Sequence, residues 1–81
     1  MNTITLVGKM QDSLDAKTRL IELLRPEGDG SIKIPLRHWT REENTLLTTL
    51  KVGALVMIRG RIDVDPKIGI YVVAELINII N

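Results

Sequence analysis

Residues 3–9 alternate, with Ile4 and Leu6 set against Thr3 and Thr5. A period of two predicts a half-buried strand. Gly8 within it is expected to mark a bulge where the strand bends. Residues 11–17 are polar and read as a connection. Residues 18–25 predict a second strand, in which Leu20, Ile21, Leu23 and Leu24 are too continuous to assign one face. The stretch Pro26-Glu27-Gly28-Asp29-Gly30 is dense turn chemistry, because Pro presets φ and Gly allows positive φ. Flanked by strands, it predicts a hairpin with a longer loop. A third strand spans 31–39. Ile32, Ile34 and Leu36 point one way, and Lys33, Pro35, Arg37 and Trp39 the other. Pro35 lacks an N–H, which implies an edge, a bulge or a kink.

The period then changes. Thr40 followed by Glu43 forms a capping box, and Glu42 and Glu43 suit a helix N-terminus. Leu46, Leu47 and Leu50 share one helical face and Gly53 ends the segment, so a short helix is predicted over 41–50. A fourth strand covers 55–64, with Val56, Ile58 and Ile62 alternating against Met57, Arg59, Arg61 and Asp63. Asp65-Pro66-Lys67-Ile68-Gly69 is a turn. A fifth strand covers 70–80, and its weak alternation predicts burial on both faces, by its own fold or by a partner subunit. Three strands, a helix and two strands are the arrangement of a five-stranded oligonucleotide-binding (OB) barrel. This is an all-β fold with one short helix between strands three and four. Closure removes the exposed edges of a small β-protein.

Composition narrows the picture. Eighty-one residues make one small domain, 1–81, of marginal stability alone. With no Cys there is no disulfide and no thiolate metal site. Dense packing or oligomerisation must supply the rest. With no Phe, one Trp and one Tyr, the core must be aliphatic. The net charge of +1 is not the footprint of a strongly basic nucleic-acid binder, so attraction to phosphate depends on how charges are placed. The N-terminus lacks the pattern of a signal peptide, and no apolar run approaches the roughly 20 residues of a membrane span. A cytoplasmic protein without membrane contact is expected.

Catalytic chemistry finds little support. One His cannot build a metal cluster, and Ser13 and Ser31 lie in loops without a recognisable base partner. Asp63 and Asp65 lack the other ligands of a calcium loop. Gly28 and Gly30 sit in a hairpin and not between a strand and a helix, so they form no phosphate loop. Neither an enzyme nor a cofactor is expected.

Several segments resemble bacterial single-stranded-DNA-binding proteins (SSB). The opening Met-Asn-Thr-Ile-Thr-Leu-Val-Gly-Lys is similar to their first strand, and Ile34-Pro35-Leu36-Arg37-His38-Trp39 to their third. Residues 51–62 resemble the family's Lys-Gly-Ser, Val-x-Ile-x-Gly-x-Leu stretch, and residues 72–80 its last strand. The matches run in order along nearly the whole chain. Two features depart from the SSB pattern: the scarcity of aromatics, and a sequence that ends at Asn81 where the family carries a long acidic-tipped tail. Both fit the family's small tail-less primosomal members. The resemblance implies sequence-tolerant single-stranded DNA binding in replication, repair or recombination, with replication or primosome proteins as partners. It also implies a homo-oligomer, since in SSB-like proteins the first strand pairs across a dimer axis. A dimer is preferred to a tetramer.

Binding single strands needs a basic groove and flat side chains for bases to stack on. Trp39 is the stacking candidate, since it shares a face with Arg37 and Lys33. Packing under the helix or at a subunit contact is the alternative. Arg59 and Arg61 on the outward face of strand four are candidate phosphate contacts or an ordinary solvated face. Tyr71 could stack a base or cap the core with its hydroxyl in water. His38 has inward parity and reads as structural. Lys9, Arg41 and Lys67 are candidate phosphate contacts and equally plain surface residues. Asp63 and Asp65 would repel phosphate. Two further functions fit the same fold: a protein-interaction module that does not bind nucleic acid, and an RNA binder.

Overall fold

The computed structural model describes residues 2–23, 30–40 and 45–81. In chain order the elements are β1 (Ile4–Ser13), β2 (Thr18–Leu23), β3 (Ile32–His38), α1 (Leu46–Thr49), β4 (Leu55–Asp65) and β5 (Gly69–Ile79). The strands close into a barrel in the order β1-β2-β3-β5-β4. Every neighbouring pair is antiparallel except β3 and β5, which run parallel through Leu36↔Val72, Arg37↔Val73 and His38↔Ala74. With α1 between strands three and four, this is the OB arrangement. Among the described residues no helix is long and apolar enough to cross a membrane.

The alternation read in β1 holds and extends further than expected. Leu6, Gly8 and Met10 face inward, and the strand continues to Ser13 instead of yielding to a connection at residue 11. The cause is a bulge. From Met10 to Ser13 β1 advances three residues while β2 moves two, from Ile21 to Arg19. Gly8 is not the bulge: its pairing with Leu23 and Val56 is regular. Its role is close approach, because a Cβ there would collide with the Glu22 carbonyl of β2. Gly60 does the same at a second bulge, where β4 steps from Arg59 to Gly60 while β5 skips from Leu76 to Ala74. A Cβ on Gly60 would meet the Val73 carbonyl.

The core is aliphatic, as the composition requires. Leu6, Met10, Ile21, Leu36, Leu47, Val56, Ile58, Val72 and Ala74 form one cluster. Pro35 pairs with Leu20 of β2, but β5 joins β3 only from Leu36 onward, so the missing N–H falls where that edge is unpaired. β5 is buried on both faces only at Val72, Val73 and Ala74, where it lies between β3 and β4. Ile32 and Ile62, assigned inward by parity, are instead largely exposed, because the barrel interior ends before it reaches them. Beyond Gly60, β4 leaves β1 and pairs with β5 alone. The resulting hairpin turns at Gly69, whose φ of 80° suits glycine, and it exposes Val64 at 67% and Ile70 at 64%.

The described helix is Leu46–Thr49, and its N-cap is Thr45 in extended conformation. The amide of Thr45 donates to the Thr48 hydroxyl at 3.0 Å. Glu43 of the predicted capping pair, the rest of the predicted helix over 41–44, Leu24, Arg25 and the predicted turn residues 26–29 lie outside the described residues. Of the predicted apolar face, Leu47 is buried and Leu50 packs against the core, while Leu46 is exposed. The end of α1 is pinned by Arg19, which is 4% exposed. Its guanidinium donates to the carbonyls of Leu47 at 3.1 Å and Leu50 at 2.7 Å. It also donates to the Gln11 carbonyl at 2.9 and 2.8 Å. One side chain therefore satisfies carbonyls at a helix end and at the bulge of β1, two places where regular ladders leave acceptors over. Burial pushes the Arg19 pKa down, partly offset by the charge of Asp12.

Candidate nucleic-acid interface

Cross-strand pairing lines up Thr18, Arg37, Val73 and Arg61 on the four consecutive strands β2, β3, β5 and β4. Tyr71 and Asp63 form the next pair on the same face of β5 and β4. Just past the end of β3, the amide of Trp39 donates to the Ala74 carbonyl at 3.0 Å, which holds Trp39 beside this row. The result is an open groove of about 310 Å³. Its walls include Lys17, Arg37, His38, Trp39, Arg61, Asp63, Tyr71 and Val73. The only Trp and the only Tyr of the chain thus share one groove.

Trp39 is 61% exposed, so a large flat surface faces solvent. Its ring centroid lies 5.8 Å from that of His38, tilted by 35°. His38 pairs with the buried Ala74 of β5. It is half-buried, lines the groove, and its Nδ1 lies 2.9 Å from the Thr40 hydroxyl.

Arg37 is the most engaged cation of the groove. Its Nε donates to Thr18 Oγ1 at 2.9 Å and one terminal nitrogen to Asp65 Oδ2 at 2.9 Å. The other terminal nitrogen lies 3.9 Å from Asp15 Oδ2. The guanidinium carbon sits 4.9 Å from the centroid of the Tyr71 ring, within cation–π range. The bond from Asp65 raises the Arg37 pKa, with the Asp15 charge adding to it. Asp65 is held below the usual aspartate range, first by the backbone N–H of Lys67 and then by Arg37. Asp15 is lowered chiefly by the backbone N–H of Lys17. Arg61 and Lys17 are exposed, and their side chains have no hydrogen-bond or ion-pair partner among the described residues.

Of the candidates, Arg37, Trp39, Arg61 and Tyr71 line the groove, and Lys33 and Arg59 do not. Lys33 lies four residues back along β3 from Arg37, about 13 Å at the usual strand rise, and it pairs with Glu22. Arg59 is exposed between Thr5 and Leu76 on the far side of the β5 bulge. Lys9 and Lys67 are also outside the groove, and Arg41 lies outside the described residues. Lys17 was missed, because it reads as part of a polar connection and only the pairing of β2 with β3 carries it beside Arg37. Among the described residues no group of three or more His, Asp or Glu could hold a metal ion.

The formal charges in and around the groove balance. Lys17, Arg37 and Arg61 face Asp63, with Asp15 and Asp65 on Arg37. What remains for a ligand is an exposed indole face beside two cations, Lys17 and Arg61, without a side-chain partner among the described residues. No family model matches this sequence, and neither does any curated protein.

Proposed function

We propose that this chain holds single-stranded DNA in a sequence-tolerant way and performs no chemistry on it, in an SSB-like or primosomal accessory role. The observation that carries the reading is Trp39, 61% exposed in a groove that also presents Lys17 and Arg61. A base stacks on the indole while the two cations meet flanking phosphates. The choice of DNA rests on the resemblance of the strands to SSB. Single-Trp fluorescence reports directly on the groove. Titration with oligo-dT at low and moderate salt is expected to give saturable quenching that weakens as salt rises. Absence of quenching, with no anisotropy change of labelled oligo-dT, would reject the reading.

The same proposal includes a homo-oligomer, a dimer first. Its support is the small core and the apolar side chains left on the surface at Val64, Ile70, Ile79 and Ile80. Light scattering at micromolar concentration tests it, and a monomer would count against it. These exposed side chains and the balanced groove charges also favour a second reading, a protein-interaction module. Under it, changing Trp39 alters assembly or stability, and DNA binding is absent.

A further inference from the structure

The groove's best-placed cation is already in use. Arg37 has a hydroxyl on its Nε, a carboxylate on one terminal nitrogen, a second carboxylate near the other, and an aromatic ring beneath its plane. A carboxylate offers a guanidinium the same paired oxygen acceptors as a phosphate does. We propose that Asp65, assisted by Asp15, occupies the phosphate position on Arg37 and so sets how tightly the groove holds a strand. This rests on the single-strand reading above.

Asp65 is built for that position. Its Oδ1 accepts the amides of Lys67 at 2.8 Å and Ile68 at 3.2 Å, within the turn between β4 and β5. The turn therefore orients the carboxylate, and its Oδ2 is left for Arg37 at 2.9 Å. Asp63, two residues earlier, spends its Oδ1 on the amide of Val64 and makes no ion pair among the described residues. The contact also restricts stacking, because Arg37 lies over the Tyr71 ring. While Asp65 holds Arg37 in place, one face of the second aromatic is covered. An incoming phosphate that takes Arg37 from Asp65 gains a cation and uncovers that ring face. The pair lies at the surface, with 27% and 22% of the two side chains exposed, so exchange needs no opening of the core.

Asp65→Asn is the direct test. Asparagine keeps an oxygen for the amides of Lys67 and Ile68 and loses the charge on Arg37. Trp39 fluorescence with oligo-dT is expected to show roughly three- to fivefold tighter binding, the scale of an exposed ion pair. The slope of log K against log salt should steepen by about 0.7, one more phosphate neutralised on a single strand. Adding Arg37→Met to Asp65→Asn should abolish the gain. Asp15→Asn, at the 3.9 Å partner, should give a smaller gain in the same direction and carries the test if Asp65→Asn does not fold. Wild-type binding that neither variant tightens would overturn the proposal alone, as would a gain that persists without Arg37. Absence of binding by wild type and both variants at low salt would overturn the single-strand reading and this proposal with it.

Discussion

Arg19 and Arg37 stand across from neighbouring residues on adjacent strands, yet they end in opposite environments. Arg19 runs to the β1 bulge and the end of α1, where four hydrogen bonds join it to the carbonyls of Gln11, Leu47 and Leu50. Arg37 runs to the groove, where it meets Asp65, Asp15 and the face of Tyr71. Fixed main-chain dipoles in the interior cannot be traded for a ligand. Surface carboxylates can, because a phosphate offers the same acceptors and water covers the pair while it opens. The same residue type is thus a structural pin at one end of the molecule and an exchangeable contact at the other. Exposure and partner type make the difference.

The largest expected effect breaks the pin. Arg19→Met leaves carbonyls at the β1 bulge and the end of α1 without donors. It should destabilise the fold by about 3 kcal/mol or more, seen as a lower urea midpoint, with DNA affinity unchanged in the folded fraction. Gly60→Ala drives a Cβ into the Val73 carbonyl and should cost about 1–3 kcal/mol, read by the same denaturation. Trp39→Ala probes the opposite region. Stability should stay within about 0.5 kcal/mol, since the side chain is exposed, while binding to oligo-dT, read by anisotropy, weakens by about 1–3 kcal/mol.

Acid sharpens the contrast between the two arginines. Asp15 and Asp65 have depressed pKa values in the folded protein. They stabilise the fold above the usual aspartate value of 3.8 and lose that contribution as pH falls through their folded values. Thermal melts should therefore show a modest loss below pH 3.8 that Asp65→Asn reduces. The carbonyl contacts of Arg19 do not titrate and contribute no such loss. The smallest effects separate groove cations from bystanders. Arg61→Gln should weaken binding a few-fold and lower the salt slope by about 0.7. Lys33→Gln and Arg59→Gln should leave both unchanged in the same fluorescence titration.

The strands were legible because each half-buried strand writes a period of two into its residues. Ile4, Leu6, Leu36, Val56 and Ile58 lie on the inward side, as alternation requires. Errors collect where a strand bends or ends. The β1 bulge turned an apparent loop at residues 11–13 into strand. At the end of β3, His38 lines the groove beside Trp39, which alternation alone does not reveal. The candidate site was partly legible through Trp39, Arg37, Arg61 and Tyr71. Lys33 does not line the groove with them, since parity reports a face and carries no information about distance along it.

The sequence by itself determined the order of elements, the aliphatic composition of the core and the inward faces of β1, β3 and β4, because alternation depends only on neighbours two positions away. Tertiary structure alone decided the parallel contact of β3 with β5, the burial of Arg19 beneath α1, and the meeting of Arg37 with Asp15 and Asp65. Those contacts join residues far apart in the chain. They form when the barrel closes, and closure depends on how all five strands pack together and not on any local pattern.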